Sequence, residues 1–326
     1  MNRRVFVTNL ALGLSARVHV ARAQPAPKLP SIGILASAQP RTASPYPALE
    51  RALQELGLVD GRTVRIEFRM AKGQIERLAG LAIDLVRSNV DVIVAGGNLA
   101  SMEAARSASA TVPIVMVAVD FDPIAAGLVA SLNRPGGNIT GVFVRQIEVT
   151  VKRLELLKEI APKAARVVML SDSFRAEQLK AAESTARTLG FRLRSVEFRT
   201  LPYDYAAALA SAAKDGAAAA LVAITPVMFR ERVQLAEIAA QQRMPTMFPL
   251  PEFADAGGLI AYGAGLDATF ESAAPYVEKI IRGVKPADLP IEQPRSFELV
   301  VNAEVARSMG VSLPPVILAR ADQVIQ

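Results

Sequence analysis

The sequence contains no cysteine and a single histidine, His19. Without cysteine there is no disulfide framework, no thiol nucleophile and no lipid-accepting residue at a signal-cleavage site. His19 sits in a leading segment that reads as removable, so the mature chain has neither His nor Cys. Zinc and copper sites of the usual kinds and any histidine-based triad are thereby excluded, and most hydrolase chemistry is disfavoured. No metal and no cofactor are expected. A phosphate-binding loop of the GxxxxGK[ST] type is also absent, so this chain does not supply the energy of any nucleotide-driven process.

The formal charge of +6 invites a nucleic-acid reading. Residues 1–23, however, hold Arg3, Arg4, Arg17 and Arg22 and no acidic residue, so most of the surplus lies in the leading segment. The remainder has no basic run with interleaved aromatics, which an electrostatic footprint for nucleic acid requires. With 326 residues, 51% hydrophobic and 21% charged, and no low-complexity tract, the chain is globular and long enough for two domains of ordinary size.

The leading segment has the layout of an export signal: basic Asn2-Arg3-Arg4, an apolar run from Val5 to Ala16, then Ala21-Arg22-Ala23 before Gln24. The alternative is an N-terminal helix of the fold. The apolar run is about half of the roughly 20 residues needed to span a bilayer, which disfavours a permanent anchor. Asn-Arg-Arg-Val-Phe-Val resembles a twin-arginine signal, with Asn2 where serine or threonine is usual, so the export route stays open. The expected product is soluble, periplasmic, monomeric and free of a lipid anchor.

After the Pro-rich joint Gln24 to Pro30, apolar runs alternate with helical stripes. Strands are predicted at Ser31 to Ala36, Thr63 to Met70, Val90 to Ala95 and Val112 to Val119, with helices at Pro47 to Leu56, Ile75 to Ser88 and Asn98 to Ser107 between them. The pattern restarts with a helix over Val149 to Ile160 and continues through strands near residues 166–170, 193–198, 219–224, 246–250 and 259–262. Single helices are predicted over Arg230 to Arg243 and Ala268 to Arg282. Such alternation is the signature of an α/β fold with parallel sheets flanked by helices, here as two lobes. The lobes are expected at 31–143 plus about 264–290 and at 144–263, with crossings near Phe143 to Ile147 and Gly263 to Asp267. Residues 291–326 stay unassigned between them.

The segments LVASLNRPGGNITG, KRLELLKE (Lys152 to Glu159), AGGLIAYG (Ala256 to Gly263), KPADLPIEQPRSFELVVN (Lys285 to Asn302) and MGVSLPP (Met309 to Pro315) together resemble the ABC-transporter substrate-binding proteins of the type I periplasmic-binding class, a family that includes tryptophan and tyrosine binders. The resemblance spans nearly all of the mature chain. It implies two Rossmann-like, hinge-linked lobes that close on a small ligand, and an ABC permease as partner, with a separate ATPase supplying energy. A periplasmic sensor subunit for a membrane receptor is the alternative function. An enzyme using Asp120 and Asp172 as an acid and base pair is a third. The leading segment stands where a DNA-binding headpiece would, which excludes a LacI-type regulator.

In parallel α/β sheets, ligands sit outside the carboxyl ends of strands. In the first lobe that edge offers Ser37, then Gly97-Asn98 with Ser101 in the first turn of a helix. The helix N-terminus there suits a carboxylate, unless the glycines only permit a turn and Asn98 only caps. Asp120 is placed to meet an ammonium group and Phe121 to form an apolar wall, while Asp122 before Pro123 reads as a cap. The second lobe offers Asp172, with Ser173 as a cap, the Thr225 hydroxyl, and Glu252 with Phe253 closing over the ligand from below. An amino acid with an aromatic or apolar side chain fits this set. Gly141, Phe143, Tyr262 and Gly263 are expected at the hinge, with Asn138 and Thr140 as second-choice contacts.

Overall fold

The computed structural model describes residues 29–119, 121–172, 176–294 and 296–326. The leading basic segment, Asp120 and Ser173 therefore lie outside the described residues, and the roles expected of them rest on sequence. The chain begins with β1 (Ser31–Ala36), α1 (Tyr46–Glu55), β2 (Arg65–Met70), α2 (Leu78–Arg87), β3 (Val92–Gly97), α3 (Leu99–Ala108), β4 (Ile114–Ala118) and β5 (Ile139–Phe143). These strands form a parallel sheet in the order β2-β1-β3-β4-β5. Strands β1, β4 and β5 are buried along their whole length, which is why they read as unbroken apolar runs rather than as alternation.

The chain then enters a second lobe through α4 (Gln146–Ile160), β6 (Arg166–Ser171), α5 (Ala176–Thr188), β7 (Arg192–Glu197), α6 (Tyr205–Lys214), β8 (Ala219–Val222), α7 (Pro226–Arg230), α8 (Arg232–Gln241), β9 (Thr246–Phe248), α9 (Pro251–Asp255) and β10 (Ile260–Gly263). It returns to the first lobe as α10 (Leu266–Glu271) and α11 (Ala274–Ile281), both packed on α1. It finishes with β11 (Glu298–Asn302), α12 (Ala303–Met309), α13 (Pro315–Arg320) and β12 (Gln323–Ile325). The second sheet runs β12-β11-β10-β9-β8-β6-β7, parallel except where β11 meets β10. Strand β7, at one of its two edges, is largely exposed.

Two helices predicted as single are each divided. Residues 268–282 split between α10 and α11, with Pro275 in the first turn of α11, where a missing N–H costs nothing. Residues 230–243 likewise divide at Glu231, because Thr225 and Pro226 start α7 one turn earlier than the apolar stripe suggests.

Three segments cross between the lobes rather than two. The third follows Ile291: Glu292 pairs along β5, taking a bond from Phe143 N at 2.9 Å and giving one to Gly141 O at 3.1 Å. The chain then joins the second sheet as β11, so the segment left unassigned by sequence contributes two strands there. A single apolar cluster runs through both lobes, linking Ile34, Val117 and Phe270 to Ile224, Phe229 and Phe253. Among the described residues no helix is long and apolar enough to cross a membrane.

Candidate functional site

The carboxyl edges of the two sheets face each other. Gln39 Nε2 donates to Pro226 O at 3.2 Å and Arg230 Nη1 to Lys72 O at 3.4 Å, so the lobes touch directly. Gly97 lies beside this contact with φ +94°, a conformation that favours glycine, and a Cβ there would sit 3.4 Å from Pro226, in ordinary van der Waals contact. Around the contact lies a cavity of about 40 Å³ bounded by Ser37, Gln39, Tyr46, Gly97, Thr225 and Phe270. That is far below the roughly 300–1,000 Å³ of typical small-molecule sites.

The expected polar residues at this edge are mostly engaged with one another. Asn98 Oδ1 accepts from Ser101 N at 3.0 Å and Ser101 Oγ at 2.9 Å, and the Ser37 hydroxyl joins them at 2.5 Å from Ser101 Oγ. Asn98 is thus the cap of α3. Its carbonyl oxygen occupies the first-turn donor that a ligand carboxylate was expected to use, which makes the N-terminus of α3 a poor anion site.

A larger cavity of about 560 Å³ opens on the other side of the same edge. Its walls are Leu99, Phe121 and Ile124 from the first lobe, Phe143 at the crossing, and Gln146 and Gln178 from α4 and α5. This volume falls within the range of ligand sites. Phe121 and Phe143 therefore share one pocket, an aromatic surface assembled from a loop after β4 and from a crossing strand. Asp122 Oδ1 accepts from Ile124 N at 2.8 Å and Ala125 N at 3.1 Å; the segment that follows is a turn and not a helix, so the expected helix cap is instead the acceptor that closes this turn.

Asp172 stands at the end of β6. Its Oδ2 accepts from Thr225 Oγ1 at 2.9 Å and Tyr203 OH at 3.2 Å, and Thr225 Oγ1 in turn accepts from Met228 N at 3.2 Å. Burial pushes the Asp172 carboxyl up, against the pull of those two donors. Tyr203 stacks on Phe198 with centroids 5.1 Å apart, and the neighbouring Tyr205 donates to Glu231 at 2.8 Å. Burial, first of all, holds both phenols above their ordinary range. Sequence reading missed both tyrosines, although Tyr203 and Tyr205 alternate at the start of a helix beside the strand end that carries Asp172.

Glu252 and Phe253 do not close over the cleft. Phe253 is fully buried, stacked on Phe248 at 5.2 Å and edge-on to Phe229 at 6.1 Å. Glu252 turns to the second crossing, where Oε1 accepts from Leu266 N at 2.6 Å and Asp267 N at 3.4 Å, capping α10, and Oε2 is enclosed with no partner. Burial raises its carboxyl above the usual carboxylate range. Their expected role as a lower lid is corrected accordingly: the apolar side chain joined the core, and the carboxylate found free amides.

At the crossings, Gly141 has φ +135°, and a Cβ would collide with the Met116 carbonyl on β4. A Cβ at Gly263 would collide with the Pro249 carbonyl. Tyr262 stacks on Phe297 with centroids 6.2 Å apart, across the second and third crossings. One residue ties these segments together, and the sequence reading passed over it. Arg153 is 1% exposed and donates to Tyr262 O at 2.7 Å, Pro249 O at 2.6 Å and Gln146 Oε1 at 3.3 Å. The signal for it was present: Val149, Arg153, Leu157 and Ile160 lie on one apolar stripe of α4, so a cation there must be buried.

A family model for ABC transporter substrate binding proteins matches residues 39–325. A tyrosine-binding protein of Clostridioides difficile (strain R20291) is 23% identical over 273 residues, spanning 80% of this chain and 75% of that one. Among solved structures, an ABC domain in complex with L-Trp from Streptococcus pneumonia superposes with a TM-score of 0.80 at 23% identity, over 91% of this chain and all of that one. A substrate-binding protein with adhesive properties from Clostridium difficile, in its ligand-free, open structure, gives a TM-score of 0.64 at 24% identity, with the same coverage of both chains.

Proposed function

Because the chain belongs to the ABC transporter substrate binding protein family, we propose that it is the periplasmic solute-binding component of an importer. It holds a small ligand between its lobes and delivers it to a permease. The observation that carries this reading is the cavity of about 560 Å³ whose walls come from both lobes and from the crossing between them. A ligand there touches both rigid bodies at once, so its binding free energy favours the closed arrangement over the open one. Closure also removes water from around the ligand, which strengthens each polar contact. The resulting paired-lobe surface is what a permease reads.

The ligand class is an amino acid with an aromatic or apolar side chain. Phe121 and Phe143 provide the matching surface, and relatives bind tyrosine and tryptophan. The leading basic and apolar segment is the export signal that brings the chain to its site of work. No chemistry is asked of Asp172, whose carboxylate serves as an acceptor for Thr225 and Tyr203.

Thermal unfolding of the purified protein with each of the twenty L-amino acids tests the proposal. At a ligand concentration 100 times Kd the stabilisation is about 2.7 kcal/mol, which raises Tm by roughly 5–10 °C for lobes of this size. A rise with tyrosine, tryptophan or an apolar amino acid is the expected result. A flat response across the whole set sinks the ligand class.

A further inference from the structure

Helix α4 begins in the wall of the larger cavity, which Arg145, Gln146, Ile147 and Glu148 all line. Its N-cap residue Arg145 gives no side-chain hydrogen bond to the first turn. The positive end of a 15-residue helix is therefore directed at the cavity without a capping acceptor. This is the reverse of α3, where Asn98 fills that place.

Behind the first turn lies Arg153. All three of its partners are neutral oxygens, on Tyr262, Pro249 and Gln146, and no ion pair involves it among the described residues. Burial pushes the guanidinium down to about 9, which leaves it charged at neutral pH. A guanidinium only donates hydrogen bonds, so Gln146 must turn Oε1 toward it. That fixes the carboxamide. Gln146 is 5% exposed, and its Nε2 is left enclosed with no acceptor in the protein. Native proteins rarely leave a buried donor unmatched.

We propose that the first turn of α4, with Gln146 Nε2 held in orientation by Arg153, is the subsite that takes the carboxylate of the solute. The proposal rests on the solute-binding reading above and adds where the anionic end goes. Three positive contributions converge there: the helix dipole, the amide donor and the buried guanidinium relayed through Gln146. The acidic neighbours limit the charge the subsite takes. Asp122 and Glu148 also line the cavity, the first engaged by Ile124 and Ala125 amides, the second paired with Arg145 at 3.4 Å. A singly charged carboxylate suits that mixture better than a doubly charged phosphate. Arg153 acts through Gln146 and is a positioning residue.

Titration calorimetry on the purified protein tests this with the twenty L-amino acids, glucose and ribose, and with the amide and decarboxylated forms of the tightest binder, for tryptophan tryptophanamide and tryptamine. Wild type is expected to prefer the free acid over the amide by about tenfold or more. Gln146→Glu supplies Arg153 with a counter-charge, keeps the side chain's shape, and places an anion at the subsite. It is expected to weaken the free acid about 10- to 100-fold, the range for a lost hydrogen bond to a charged group, and to weaken the amide far less. Gln146→Met removes the donor without adding charge and should give the same collapse of the acid-to-amide ratio, which covers the case of a poorly folding Glu variant. Arg153→Lys keeps the charge but replaces the planar, fixed fork with a compact ammonium that no longer holds Gln146 in one orientation, so the ratio should fall there too, whereas a purely structural role would weaken acid and amide alike.

Equal binding of acid and amide by wild type, undiminished acid binding by Gln146→Glu and Gln146→Met, or binding of a sugar but no carboxylate overturns the subsite and leaves the solute-binding reading standing. If nothing in the panel binds, both fall.

Discussion

Substituting alanine at two glycines separates the strain built into a crossing from ordinary backbone freedom. At Gly141 the chain sits at φ +135°, and the added methyl would meet the backbone of Met116, with the amide nitrogen 2.7 Å away and the carbonyl closer still. Neither neighbour is a flexible side-chain end, since both belong to the β4–β5 pairing. Forcing a side chain into so sparsely populated a conformation costs about 1–3 kcal/mol, and overpacking against fixed atoms adds about 1–3 kcal/mol. The sum, about 2–6 kcal/mol, is a large share of the roughly 5–15 kcal/mol that holds a folded protein together. Gly80 offers the opposite case. It lies exposed within α2 with nothing near its missing Cβ, so alanine there should stabilise by about 0.5–1 kcal/mol. Urea unfolding of both variants, with the midpoint and slope compared to wild type, reads the two effects. A Gly141→Ala unfolding free energy within about 1 kcal/mol of wild type, or a Gly80→Ala loss of about that size, would refute the reasoning.

Asp172 and Glu252 make stability depend on pH in a direction opposite to that of most carboxylates. Burial raises both, so the folded state holds each proton more firmly than the unfolded chain; their contribution is complete below the unfolded carboxyl range and is lost as pH rises through the raised folded values. Asp172→Asn with Glu252→Gln should therefore be more stable than wild type near neutral pH, with the gap closing as pH is lowered; a gap constant with pH contradicts the assignment. Phe253→Ala should cost about 3–5 kcal/mol as a core truncation while leaving ligand affinity in the folded fraction within about twofold, as calorimetry would show. A marked loss of affinity at unchanged stability would return Phe253 to the cleft.

The layout of sheets and helices was legible because parallel strands buried on both faces become continuous apolar runs, and those in β1, β3 and β4 stand clear of the helical stripes around them. The helix divisions were less so. A stripe such as that of α10 and α11 keeps its period through the break, and only the capping geometry marks the stop. Among site residues, Phe121 was expected as an apolar wall and Phe143 at the hinge, and both line the larger cavity. Asn98, for which capping was the stated alternative, and Glu252 share one feature: each sits beside unpaired helix amides, α3 for one and α10 for the other, and its side-chain oxygen accepts from them. The partner of Glu252 comes from Leu266, across a crossing that local pattern does not reveal. The position of Glu292 was hidden for a similar cause, since its extended pairing is dictated by β5 and not by any alternation of its own. Arg153 could have been seen from periodicity alone, but its link to Gln146 required the packed helix.

The third crossing governs the order in which the molecule can be completed as it is synthesised. Helices α10 and α11, which lie against α1, leave the ribosome only after β6 to β10 have been made. Strand β10, with Ile260 and Ala261 fully buried in the finished sheet, keeps a bare edge until β11 arrives to pair with it. A nascent chain halted before Glu298 thus carries an apolar strand with unpaired backbone groups, the kind of template that recruits other chains. Neither half of the protein is finished until nearly all of it has been translated.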